Sequence, residues 1–167
     1  ATLAGLPRER IARINGNGDV DTTFSPATDG EISSIALQTD GKILLGGAFS
    51  TLSGQPRNNL GRLNANGTLD NTFTTGVNGS AESLSVQSNG KILVGGNFSA
   101  VDGQPRSSIA RLNNTASATQ SLSYTGSTIT WLRGDTSPEV WRTTFEHSSD
   151  GLVWINLGAG TRVGGGW

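Results

Sequence analysis

Apolar positions along the chain fall into short runs that return every 49 residues. In "ISSIALQ" (Ile32–Gln38) they alternate, with Ile35 and Leu37 on one side, the period of a strand with one buried face. A "TDG" turn leads into "KILLGGAF" (Lys42–Phe49), an almost continuous apolar run suited to a strand covered on both faces. A longer loop carrying "SGQPR" follows, then "LGRLNA" (Leu60–Ala65). The dipeptide Asn66–Gly67 predicts a type I′ hairpin, with "TLDNTF" (Thr68–Phe73) as the returning strand.

The period is kept without insertion or deletion. Pro7, Pro56 and Pro105 obey it, as do Arg8, Arg57 and Arg106, and Arg13, Arg62 and Arg111. Lys42 pairs with Lys91, Phe24 with Phe73, and Phe49 with Phe98. Four short strands in about 50 residues is the dimension of one β-propeller blade. The stretches "DGKILLGGAF", "RLNANGTLDNTF" and "RINGNGDVDTTF" resemble the delta-60 repeats of bacterial β-propeller-like proteins. The resemblance covers about residues 1–113. It implies a scaffold in a long secreted or cell-surface bacterial protein, and it implies no reaction.

Pairing strands in order predicts one blade from about Leu6 to Phe49 and another from about Gln55 to Phe98. "SSIARLN" (Ser107–Asn113) is then an orphan strand. A closed propeller needs at least four blades, and a repeat unit buries its apolar faces only against a neighbour. Either the chain is an excerpt of a longer array, or neighbouring copies supply the missing faces.

After Asn113 the repeat stops. "NTASATQS" (114–121) reads as a linker, and the composition changes beyond it. All four tryptophans and the single tyrosine lie in 122–167, where "STITWLR", "EVWRTTFEH" and "LVWINLG" are strand-like and "SSDG" turns between the last two. The expected fold is therefore all-β: propeller-blade-like repeats of 49 residues followed by a small β-sandwich-like domain, cut short at "GGGW". Alternating Trp141, Thr143 and Phe145 read as the inward face of a strand.

Composition narrows the chemistry. The 24 glycines, with abundant Ser, Thr and Asn, suit a turn-dense β protein and resemble secreted bacterial surfaces. With 12 basic and 13 acidic groups spread evenly, no basic stripe exists for nucleic acid. No apolar run approaches the ~18–20 residues of a membrane-spanning helix. There is no cysteine for disulfides or thiolate metal sites, and no cofactor is expected.

Candidate chemistry is sparse. "NGNGDVD" (Asn15–Asp21) spaces oxygen ligands like a calcium loop, but Val20 and Pro26 stand where that loop needs glycine and glutamate. Asp40 becomes Asn89 and Asp29 becomes Asn78 in the next copy, exchanges a turn tolerates and a catalytic acid does not. The kept arginines, Arg8, Arg57, Arg106, Arg13, Arg62 and Arg111, read as structural or assembly residues bonded to loop carbonyls or to Asp21 and Asp70; the sharper reading is a repeated sugar or anion groove. His147, the only histidine, reads as a turn residue beside "SSDG". "RGD" (Arg133–Asp135) is a three-residue match to an adhesion tripeptide. Sequons stand at Asn66, Asn78, Asn97 and Asn113, of which Asn66 and Asn78 fall in predicted exposed turns and Asn97 in a strand.

The reading that follows is a non-catalytic, extracellular or cell-surface protein, adhesin-like or fibre-forming, whose partners are copies of itself or further repeats. The alternative is a carbohydrate-binding module with Trp131, Trp141 and Trp154 as stacking residues, and exposure of those indoles discriminates.

Overall fold

A computed structural model of the chain describes residues 2–164 and 166–167. The described residues form strands, bridges and turns, with no helix among them. A two-residue ribbon, β1 (Thr2–Leu3) with β2 (Leu6–Pro7), comes first. The first blade follows: β3 (Glu31–Leu37), β4 (Ile43–Ala48), the small ribbon β5 (Thr51–Leu52) with β6 (Gln55–Pro56), and β7 (Leu60–Leu63). Its sheet order is β3-β4-β7, all antiparallel. The second blade repeats it as β8 (Ser80–Val86), β9 (Ile92–Asn97), β10 (Ala100–Val101), β11 (Gln104–Pro105) and β12 (Ile109–Leu112), with sheet order β8-β9-β12. Then come two separate hairpins, β13 (Ala118–Tyr124) with β14 (Ile129–Asp135), and β15 (Thr144–His147) with β16 (Ile155–Ala159).

The blade phase differs from the sequence expectation. Ser107–Asn113 is no orphan, because β12 pairs with β9 from Ile109↔Gly95 to Leu112↔Ile92. Each blade begins at "EISSIAL" or its copy, and it is Ile11–Val20 that stands apart from both sheets. There a lone bridge, Ile14↔Val20, repeats Leu63↔Leu69 of the next unit. Strand alternation fixes which face is buried but leaves open where a repeating unit starts.

Turn chemistry was also displaced. At Asn66–Gly67 only the glycine has positive φ, at 89°, and Gly67 N–H donates to the Asn64 carbonyl. This is a type I turn closed by a left-handed glycine. The two-residue turns with both φ positive are Ala4–Gly5, Ser53–Gly54 and Asp102–Gly103, which join the ribbons β1–β2, β5–β6 and β10–β11. "TLDNTF" contributes a bridge rather than a strand.

The core is the repeat written in packing. One cluster holds Ile11, Phe24, Ile43, Leu45, Phe49, Leu52 and Leu63. Shifted by one period, each of these becomes a member of the other cluster, which adds Leu44, Val77, Ala81 and Ala110. Neither cluster lies within one sheet: Ile11 and Phe24 close the first against β4, and Leu60 and Phe73 close the second against β9. β4 is thus covered on both faces, as its apolar run predicts, with Ile43 and Leu45 on one side and Leu44 on the other.

Beyond the repeat, the linker expected at 114–121 is shorter and not loose. β13 already begins at Ala118, and Asn114 and Thr115 both accept hydrogen bonds from Arg62. The two hairpins are separate two-stranded sheets, and Leu122, Tyr124, Trp154 and Leu157 are exposed on or beside them rather than enclosed between sandwich layers. What anchors this segment is the first blade. Thr39 N–H donates to the Ser137 carbonyl, Asp40 N–H to Asp135 and Glu139 N–H to Leu37, and Gln38 bridges Pro138.

Candidate functional site

Two kinds of feature repeat in the blades: an arginine cluster that locks each turn, and an apolar face that meets the next blade. Arg62 is fully buried and donates from Nε to Asp70 Oδ2 at 2.8 Å, while Lys42 Nζ reaches the same oxygen at 3.0 Å. Its guanidinium lies 4.9 Å from the Phe73 ring centroid and donates to Thr115 Oγ1 at 2.6 Å, and also to Asn114. Burial alone would raise the Asp70 carboxyl. Bonds from Thr72 and Lys42 and the Arg62 charge outweigh it and hold Asp70 well below the usual carboxylate range.

One period earlier Arg13 makes the same Nε bond to Asp21 at 2.8 Å, lies 4.5 Å from Phe24, and reaches the Ala65 carbonyl of the next unit. The Asp21 carboxyl sits at about 2, held there first by the Thr23 hydroxyl and then by Arg13. Arg111 is exposed, and Thr119 and Leu122 stand where Asp70 and Phe73 stand in the previous copy. Arg8, Arg57 and Arg106 each donate to the carbonyl of the proline before them. The bonds of Arg8, Arg13, Arg57, Arg62 and Arg106 are thus internal to the molecule.

The acidic positions that vary between copies are turn caps. Asp29 accepts from Ser50 and Thr51 N–H at 2.8 and 2.9 Å, and Asn78 accepts from Ser99 and Ala100 N–H at 2.9 Å each. Its bond from the Ser50 hydroxyl, with those amides, holds Asp29 at about 2. Asp40 and Asn89 accept from Lys42 and Lys91 N–H in the same way. "NGNGDVD" is a hairpin turn in which Asn17 and Asp19 bond each other. His147 is exposed, and beside it Asp150 caps the turn by accepting from Leu152 and Val153 N–H.

Between the blades, Leu44 and Leu60 on one side meet Leu84 and Val86 on the other, and Leu44 and Leu60 are completely buried. The approach is closest at Gly46, where a Cβ would lie 2.9 Å from the Ala81 carbonyl oxygen. Leu84 N–H donates to Ser34 Oγ at 3.0 Å across the same seam. The same positions at the two ends of the repeat region are open. Ile109, the copy of Leu60, is 66% exposed, and Ile35 and Leu37, the copies of Leu84 and Val86, are 52% and 38% exposed.

The tryptophans divide. Trp141 and Trp154 are exposed, while Trp131 is half-buried beneath Arg133 at 4.9 Å. Trp141 does not lie on an inward strand face: β15 starts only at Thr144, and Trp141 sits at a bend just after Pro138 bridges Gln38 and Glu139 N–H bonds the Leu37 carbonyl of β3. In "RGD", Arg133 is buried. The sequon residues Asn66, Asn78, Asn97 and Asn113 are all exposed, though the Asn78 amide donates to Ser99 Oγ. Sequence reasoning missed the docking residues Gln38, Thr136 and Ser137, polar groups about 98 residues apart whose pairing leaves no periodic signal.

A family model described as a domain of unknown function (DUF5122) beta-propeller matches residues 1–24, 38–73 and 87–115, just over half the chain. No curated protein and no solved structure matches it.

Proposed function

The chain belongs to the DUF5122 β-propeller family, and from that premise we propose that it is a non-catalytic structural and interaction protein that assembles through its two open blade faces. One observation carries this reading: Ile109 is 66% exposed, whereas the residues one and two periods earlier, Leu60 and Ile11, are 0% and 7% exposed. The occupant such a face fits is the surface that covers it inside the molecule, another blade of the same repeat. Its complement, Ile35 and Leu37, lies at the other end. A contact between unlike faces of identical units adds unit after unit, closing into a ring where the rotation between units closes and extending into a stack where it does not. The added blades belong to further repeats of a longer chain or to neighbouring copies.

The delta-60 resemblance of "DGKILLGGAF" and its copies, with the Ser, Thr, Asn and Gly richness, supports an address on a bacterial cell surface and an adhesin-like or fibre role. Asp21, Asp29, Asp70 and Asp150 are each engaged in a turn or an arginine pair, which supports a scaffold over a hydrolase. The test is the assembly state of the chain at native concentration, by negative-stain electron microscopy and light scattering. Fibres with a regular axial repeat are expected, and Ile109→Lys should abolish them. Compact monomers at every concentration refute stacking between copies.

A second reading, carbohydrate binding, is favoured by the exposure of Trp141 and Trp154.

A further inference from the structure

We propose that the segment after the repeats carries a binding pocket for the carboxylate of an acidic sugar, with Arg133 at its floor and Arg162 at its mouth. The pocket is a cavity of about 60 Å³ between β14 and the chain's last residues, lined by Thr39, Arg133, Glu139, Arg162 and Trp167 among others. Arg133 is 8% exposed, and its Nε and Nη1 are buried without a hydrogen-bond partner among the described residues. A buried guanidinium with unused donors is expensive, and its fork of N–H groups matches a carboxylate.

Charge points the same way. Two guanidiniums face one carboxylate, Glu139, and that carboxylate is already taken by Arg162. Desolvation pushes the Arg133 guanidinium below its ordinary pKa, with the Glu139 charge opposing the shift. An anion bound beside Arg133 would remove that penalty.

The surroundings select the rest of the ligand. A water molecule needs roughly 10–15 Å³ of such space, so the cavity admits a carboxylate and the carbon that bears it, while a ring must stay outside. At the mouth stands an indole: the Arg162 guanidinium lies 5.6 Å from the ring of Trp141, which is 73% exposed, and 6.0 Å from that of the lining residue Trp167. A pyranose presents an apolar C–H face that stacks on such a ring, and a uronic acid carries its carboxylate at the ring's edge. A recessed guanidinium beside an exposed indole therefore fits a uronate better than a peptide C-terminus, which offers no flat face.

All four tryptophans lie in this segment, so intrinsic fluorescence reports on it. The full chain is titrated with glucuronate, with galactose, with acetate and with N-acetylalanine. Glucuronate should give a saturable change and galactose none, with Arg133→Gln and Arg162→Gln each weakening the response at least tenfold. Trp141→Ala should weaken glucuronate while leaving acetate unchanged. Equal affinity for glucuronate, acetate and N-acetylalanine overturns the sugar assignment. No saturable response from the folded wild-type chain overturns the site itself. Should Arg133→Gln fail to fold, the exposed Arg162→Gln decides, and wild-type affinity in that variant refutes the proposal.

Discussion

Arg62 Nε bonds Asp70 Oδ2 at 2.8 Å, and one period earlier Arg13 Nε bonds Asp21 Oδ2 at the same 2.8 Å, yet Arg62 is fully buried and the Arg13 side chain is 38% exposed. The difference is the cover: Asn114 and Thr115 close over Arg62, while in the place of that cover Arg13 has the Ala65 carbonyl and solvent. Removing Asp70 strands a buried charge. Asp70→Ala should cost about 3–5 kcal/mol in urea unfolding, and Asp21→Ala distinctly less. Equal losses would mean that burial does not set the worth of this pair.

The seam between blades makes a sharper pair. Gly46→Ala forces a methyl against the Ala81 carbonyl at 2.9 Å and should cost about 1–3 kcal/mol. Gly95 is the same position in the second blade, where the nearest atom is 3.8 Å away. Gly95→Ala should leave unfolding within about 0.5 kcal/mol of wild type but impair assembly if a further blade packs there. Thermal unfolding and light scattering on both variants separate the two effects.

Acid should weaken the fold in a defined window. A carboxyl held below its ordinary value stabilises the folded state above that value, and the stabilisation is lost as pH falls through the folded pKa. Asp21 and Asp29 sit at about 2 and Asp70 is lowered as well. The melting temperature should hold down to about pH 5 and decline below ~4, where ordinary carboxylates titrate. A melting temperature that rises on acidification would contradict the assignment of these carboxylates as charged acceptors.

Asp29 and Asn78 do one job with two side chains. Both accept from the two amides that open the following ribbon. Asp29→Asn should therefore be nearly neutral at pH 7 and reduce the acid sensitivity, whereas Asp29→Ala loses both acceptors. Circular dichroism melts at pH 7 and pH 3 check the pair.

Much of the repeat was legible in the sequence because it is local. Alternation in "EISSIAL", the continuous run in "KILLGGAF" and the positive-φ glycines are properties of a few neighbouring residues, and the period multiplies each signal. The all-β class, the strands at the heart of each blade and the structural duty of the exchanged Asp and Asn positions follow from that.

What only the tertiary structure decided are questions of partnership. A strand's pattern does not say on which side the next one adds, so Ser107–Asn113 read as an orphan although β9 holds it. The type I′ geometry fell at Ser53–Gly54 rather than Asn66–Gly67, because strand twist and ribbon length choose the turn along with its dipeptide. Trp141 matched a strand period but lies before β15, at an exposed bend that follows the bridge of Pro138 to Gln38. The donors of Arg133 that lack a partner among the described residues lie where Thr39, Glu139 and Trp167 come together around it. Local sequence encodes backbone preference and face, whereas burial is a property of what arrives from elsewhere in the chain.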